Sequence, residues 1–226
     1  MALLEVKNIT AKYGGEEVIK DISFSVERGD YLLVVGENGT GKSTLLKVLT
    51  GLLKQSGGEV KYNCISRHDI GYLPQQNILQ KNFPAKVFEI VCSGFSGYLG
   101  SMFLSKHNKS HAKHLIEHIG LKEISNKSFA CLSGGQQQKV LLARALVAGE
   151  GMLLLDEPVA SLDPTARDEI YSTIEHYNEI HGTTVIMVTH DIDDATKYAN
   201  KVLSIGENNF FGTVEEYIAM KGGVKG

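Results

Sequence analysis

The chain has no tryptophan, only four prolines and only three cysteines in 226 residues. Cys64, Cys92 and Cys131 are odd in number and far apart. They fit neither a disulfide framework nor a zinc site, which points to a reducing cytosol and to ordinary buried or surface thiols. A dominant charge sign is lacking too. The net charge is −3, so bulk electrostatics gives no basis for nucleic-acid binding. No apolar run approaches the ~18 residues of a membrane-spanning helix. The stretch Met1 to Lys7 lacks a basic start and an unbroken apolar segment, so no signal peptide is expected. Repeats, low-complexity tracts and long linkers are missing. What is present is 42% apolar and 22% charged residue content, enough to bury one large core as a single domain, with or without a lobe.

The most informative stretch is Gly36-Glu37-Asn38-Gly39-Thr40-Gly41-Lys42-Ser43-Thr44, which fits G-x-x-x-x-G-K-[ST]. The apolar run Tyr31 to Val35 before it reads as a buried strand, and Thr44 to Leu49 after it suits a helix. A loop of this kind wraps phosphates with backbone N–H groups at the positive end of a helix. Lys42 is expected to reach the β- and γ-phosphates, and the Ser43 hydroxyl to ligate Mg²⁺. A glycine turn with a chance lysine would not explain the strand and helix on either side.

Leu3 to Ile9 and Val18 to Val26 read as strands joined at Gly14-Gly15. Val60 to Tyr62 and Ile70 to Leu73 read as two more, the latter stopped by Pro74. From about 76 to 131 apolar spacing turns helical, with glycines and serines between 93 and 101, so a mostly helical insertion is expected. A βαβ pattern then returns. A helix covers Gly135 to Ala148, and Met152 to Leu155 runs into Asp156. Asp163-Pro164 opens a helix with a buried stripe of Ile170, Ile174 and Tyr177. Val185 to Val188 ends at Thr189-His190, Asp191 is expected to cap a helix, and Lys201 to Ile205 and Val214 to Met220 are a last strand and helix. The runs 31–35, 152–155 and 185–188 are apolar throughout, as parallel strands covered on both faces are. Each enters a polar cluster, so the chemistry should gather at one carboxyl edge of the sheet.

At that edge Asp156 can hold Mg²⁺ beside Ser43, and Glu157 can polarise a water for attack on the γ-phosphate. Leu132-Ser133-Gly134-Gly135-Gln136 forms a second, serine-capped helix start open to a phosphate. One nucleotide already has its loop, so a second cradle suggests a nucleotide brought by another copy. Together these motifs resemble the nucleotide-binding subunit of an ATP-binding-cassette (ABC) transporter, in order and spacing over nearly the whole chain. By that resemblance Gly36 to Thr44 is the Walker A loop, Met152 to Glu157 the Walker B strand and Leu132 to Gln136 the signature motif. Tyr72-Leu73-Pro74-Gln75 is the Q-loop, with Gln75 the γ-phosphate and coupling sensor. Ser161-Leu162-Asp163 is the D-loop, His190 the switch histidine, and Tyr13 the residue stacked on adenine. Catalysis would then fall to Glu157, His190, Gln75 and Lys42, and Mg²⁺ to Ser43, Gln75 and Asp156.

The resemblance implies a P-loop α/β fold of ABC type over residues 1–226. Its mainly parallel core would span about 1–75 and 132–226 with N-terminal antiparallel strands, and its helical subdomain about 76–131. It implies two copies sandwiching two ATP molecules, separate transmembrane permease subunits, indirectly a solute-binding protein, and a peripheral place on the cytoplasmic face of the membrane. Asn82-Phe83-Pro84-Ala85-Lys86-Val87 resembles the Phe-Pro-Ala-Thr-Val stretch of the zinc and manganese importer branch, with a departure at Lys86. A soluble ABC-type ATPase, such as an iron–sulfur assembly subunit, is the alternative; a phosphoryl-transfer kinase would have no use for the signature motif. His107, His111, His114 and His118 recur at spacings that make one helical stripe able to bind zinc, or equally a solvated face beside Lys106, Lys109 and Lys113. The solvated face is the expected reading.

Overall fold

A computed structural model describes residues 2–13, 15–75, 84–97, 104–149 and 151–222. Gly14, Asn82 and Phe83, and the insertion's first residues, lie outside that set. The described residues form two sheets. The first is antiparallel, in the order β2 (Glu16–Val26), β1 (Leu4–Tyr13), β4 (Gly57–Tyr62). The second runs β5 (Ile70–Leu73), β6 (Met152–Asp156), β7 (Thr184–Val188), β3 (Tyr31–Val35), β8 (Lys201–Ser204), β9 (Phe210–Thr213). Its first five strands are parallel, and β9 closes the edge antiparallel to β8.

The three continuous apolar runs are neighbours at the centre of this sheet, and successive side chains divide between two cores. Leu32, Val34, Met152, Leu154, Ile186 and Val188 pack with the antiparallel sheet and with α1 (Lys42–Leu49). Leu33, Val35, Leu153, Leu155, Val185 and Met187 pack on the opposite face. That second face is covered by α2 (Val87–Ser93), α3 (Lys106–His118), α4 (Gly134–Ala148) and α5 (Pro164–Glu179). Burial on both faces removes the polar alternation a half-exposed strand would show.

The helices start where the sequence places them. Ser133 Oγ accepts the Gln136 N–H at 3.3 Å while Gln136 Oε1 accepts the Ser133 N–H at 3.2 Å, a closed capping box for α4. Asp163 Oδ1 accepts the Ala166 N–H at 3.0 Å, and Pro164 fills the first turn of α5. Asp191 departs from expectation. It precedes α6 (Ile192–Ala195) but makes no side-chain cap; its Oδ2 accepts from Arg167 Nη1 at 2.9 Å, an ion pair outweighing a one-turn helix end. The final hairpin is a second departure. β9, a 3.2 Å turn bond from Gly206 N–H to Asn209 Oδ1, and α7 (Val214–Gly222) follow β8 where a helix alone was expected.

Around the helical insertion, α2 and α3 pack on α4 through Val87, Val91, Ala112, Leu115 and Ile116. The carboxyl end of α4 crosses β5 very closely. A Cβ on Gly71 would lie 2.1 Å from the Ala145 carbonyl oxygen, and one on Gly149 would lie 2.3 Å from Gly71 N. Backbone cannot yield there as a side-chain tip could. Gly71→Ala should therefore cost about 2 kcal/mol and lower the melting temperature by roughly 4–8 °C. Circular dichroism melts check this; an unchanged midpoint would mean that α4 can retreat from β5 without penalty.

Candidate active site

Val35 ends β3, and the chain turns at once into the loop 36–41. A Cβ on Gly36 would lie 2.3 Å from the Ile205 carbonyl oxygen, and one on Gly41 2.3 Å from Ile19 Cγ2. Gly41, at φ 92°, is the residue before α1, and no side chain caps that helix. Its positive pole therefore faces the loop, as anion binding requires. Lys42 is buried, and its ammonium donates to the Gly36 and Glu37 carbonyls at 2.9 and 2.7 Å. Burial lowers its pKa, while Glu157 and Asp156 oppose the shift. The lysine thus spans the loop that it would share with a phosphate, which would offer a charged acceptor instead of two neutral ones.

The other half of the site is the end of β6. Ser43 Oγ donates to Asp156 Oδ1 at 3.0 Å. Only 2% of Asp156 is exposed. Burial raises its pKa; the Ser43 bond lowers it and Glu157 raises it. Glu157 sits at φ 53°, an uncommon conformation for a non-glycine residue, costing about 1–3 kcal/mol. Its N–H still donates to the Val188 carbonyl at 2.9 Å, so the strand end stays tied to β7 while the side chain turns into the site. Gln75 Nε2 donates to Glu157 Oε2 at 2.9 Å, and His190 Nε2 lies 2.7 Å from Oε1. Both carboxylate oxygens are engaged by residues from the ends of β5 and β7.

Lys42, Ser43, Thr44, Gln75, Glu157 and His190 line one open cleft of about 500 Å³. Asn38, Gly39 and Gly41 join them, and so does Val18 of β2, which sequence reading did not single out. Its only signal was a position in the strand facing the loop. Tyr13 lies apart from that lining. It ends β1, 62% exposed, with Lys47 Nζ 5.8 Å from its ring centroid. Ser133, Gly134, Gly135, Gln136 and Asp163 are also absent from the cleft. They form the N-terminal ends of α4 and α5, with Ser133, Gly134, Gln136 and Asp163 exposed. Gly135 faces α5, where a Cβ would lie 2.7 Å from Ala166 Cβ. Gln138 was also missed: it is buried, and its Nε2 donates to the Pro158 carbonyl at 2.6 Å, tying α4 to the segment after Glu157.

A glycine loop between strand and helix, with its lysine facing two carboxylates at the end of a strand one place removed in the same sheet, defines a P-loop nucleotide hydrolase. The ABC transporter family model matches residues 19–160. The chain is 33% identical to the zinc uptake system ATP-binding protein ZurA of Listeria innocua, over 95% of this chain and 87% of that protein. It is 36% identical to the ergothioneine transport ATP-binding protein EgtV of Helicobacter pylori, over 90% of this chain and 97% of that one. Among solved structures it is similar to cbiO1 of Clostridium perfringens, part of the cbiONQ ABC transporter complex. The TM-score there is 0.83 at 29% identity, over 99% of this chain and 93% of that one. A dimeric ATP-binding cassette in a post-hydrolysis state with ADP and phosphate matches with a TM-score of 0.74 at 29% identity, over 92% and 98% of the two chains. The chain belongs to the ABC transporter family, as an ATP-binding, ATP-hydrolysing subunit.

The raised pKa of Asp156 carries a stability consequence. A carboxyl whose folded pKa lies above its unfolded value favours folding at low pH, and that contribution is lost as pH rises through the folded pKa. At neutral pH the desolvated charge is therefore a net cost in the nucleotide-free protein. Asp156→Asn keeps an acceptor for Ser43 and removes the charge. The variant should melt above the wild type at pH 7, and the difference should shrink as pH falls through the raised pKa of Asp156. A lower melting temperature at pH 7 would show that Lys42 and Lys47 more than offset the burial.

Proposed function

We propose that two copies of this chain sandwich two ATP molecules and that hydrolysis powers import of a divalent metal ion, zinc or manganese, through separate membrane subunits. The observation that carries the shared site is the separation of its parts. Lys42, Ser43, Gln75, Glu157 and His190 converge on one cleft, whereas Ser133, Gly134, Gln136 and Asp163, at the capped starts of α4 and α5, are exposed and outside its lining. A helix start of that kind receives phosphate, and one from a second copy would close the cleft. The similar dimeric cassette supports the arrangement.

In this reading Lys42 and the amides of residues 36–44 hold the phosphates, and Tyr13 stacks on the adenine from beside α1. Ser43 and Asp156 offer oxygen donors 3.0 Å apart, a hard-cation pair; with Gln75 they would hold Mg²⁺. Bound there, Mg²⁺ supplies charge neutralisation to the β- and γ-phosphates. Glu157 accepts a proton from the attacking water. Its two present partners, Gln75 and His190, fix the carboxylate's orientation and register whether a γ-phosphate is present. Asp163 reaches toward the partner copy while capping α5.

Relatives whose names denote transport favour a transporter over iron–sulfur assembly. None of the described helices is long and apolar enough to cross a membrane, so the pore belongs to permease subunits, with this chain held against their cytoplasmic face. A solute-binding protein would deliver the cargo to them. The zinc-uptake relative supports the metal, as does the Phe83-Pro84-Ala85 stretch.

Glu157→Gln keeps shape and loses the negative charge. It should bind ATP yet hydrolyse it about 10²–10⁴-fold more slowly, the usual weight of a general base. Size-exclusion chromatography should then show a dimer with ATP and a monomer with ADP, and adding Ser133→Arg should abolish the dimer. A monomer under saturating ATP, or wild-type turnover, would contradict the site. Deleting the gene should impair growth under zinc or manganese starvation, with rescue by added metal. Unimpaired growth under both, in a strain without a redundant importer, would exclude the metal cargo.

A further inference from the structure

The histidines of α3 do not all face solvent. His111 packs against Phe95 with ring centroids 5.7 Å apart. His118, the last residue of α3, meets His176 of α5, with their Nε2 atoms 3.0 Å apart. His181, in the turn after α5, completes a group in which one ligand nitrogen per residue lies within 4.8 Å of the others. We propose that His118, His176 and His181 bind a divalent transition-metal cation of the zinc class, in a site separate from the nucleotide cleft and bridging α3 to α5.

The chemistry favours such an ion. Neutral imidazole suits zinc and its late first-row neighbours, whereas Mg²⁺ and Ca²⁺ require oxygen ligands. Two imidazoles on a tetrahedral zinc at 2.0–2.1 Å sit about 3.3–3.4 Å apart, close to the observed pair. His181 is exposed and needs only a side-chain adjustment to draw in. The site opens on a cleft of about 420 Å³, lined also by His114 and Tyr177, which leaves room for a fourth ligand or water. Three-histidine sites with an open fourth position are an established zinc arrangement.

Electrostatics and packing point the same way. His118 ends α3 and His176 lies in the last turn of α5, so two negative helix poles converge on the group. Tyr177 meets all three rings, His118 edge-on at 6.2 Å and 89°. His181 stacks on the tyrosine at 4.8 Å and 24°, and His176 meets its edge at 5.8 Å and 76°. Because the ligands come from two helices and the turn beyond one of them, a bound ion would clasp α3 onto the core.

The test uses the full chain, stripped of metal, without nucleotide or membrane subunits, so its outcome is independent of the cargo assigned above. Titration with Zn²⁺ in a calorimeter should show one high-affinity ion per chain. His118→Gln and His176→Gln should each weaken that binding at least tenfold, and His107→Ala, on the same helix but outside the group, should leave it intact. Zn²⁺ should raise the melting temperature of the wild type and slow hydrogen exchange in α3, and do neither in the two glutamine variants. Should either variant fail to fold, His181→Gln at the exposed position reads the same binding. No high-affinity ion in the wild type would overturn the site and leave His118 and His176 as a hydrogen-bonded pair. Undiminished binding in the folded variants would overturn it equally, by placing the ion elsewhere.

Discussion

Two adjacent carboxylates at the end of one buried strand constrain everything around them. Asp156 is almost wholly withdrawn from water, and Glu157 is turned into the cleft by an uncommon backbone conformation. Buried anions need partners. The partners come from three separate segments: Ser43 and, through space, Lys42 from the start of α1, Gln75 from the end of β5, and His190 from the end of β7. Segments far apart in sequence are thereby fixed to within hydrogen-bond distance of one strand end. Burial of Asp156 raises its pKa, and the bond from Ser43 and the charge of Lys47 oppose that shift.

The sheet order explains how such distant segments meet. β6 lies between β5 and β7, and β7 lies between β6 and β3. All run in the same direction, so the loop after β3, Gln75, the carboxylates and His190 emerge at one edge. The helix starts at Ser133 and Asp163 do not line that cleft. Their capping bonds are complete within the chain, so their exposure reflects an unused face and not a loose end. One chain consequently brings Lys42, Ser43, Gln75, Glu157 and His190 to one open cleft.

Much of this is legible in the sequence. Continuous apolar runs marked the three central strands because burial on both faces leaves no polar alternation to read. The glycine loop was legible because only glycine tolerates the backbone contacts at Gly36 and Gly41. What escaped depends on contacts between distant residues. Asp191 has the residue type and position of a helix cap, and only the fold brings Arg167 within 2.9 Å of it. The short β9 strand, Phe210 to Thr213, is defined by its pairing with β8 more than by any pattern of its own. The spacing of His107, His111, His114 and His118 marked one face of a helix, but not that α5 would place His176 and His181 against one end of it.

The central claim is that hydrolysis requires a cleft closed by a second copy. The most direct measurement is the ATPase rate per chain of the isolated wild-type protein as a function of chain concentration, at saturating Mg²⁺ and ATP. Shared sites predict a specific activity that rises with concentration and levels off once the dimer is fully formed. A specific activity independent of concentration across the monomeric range would show that one chain hydrolyses ATP unaided, and would contradict the claim.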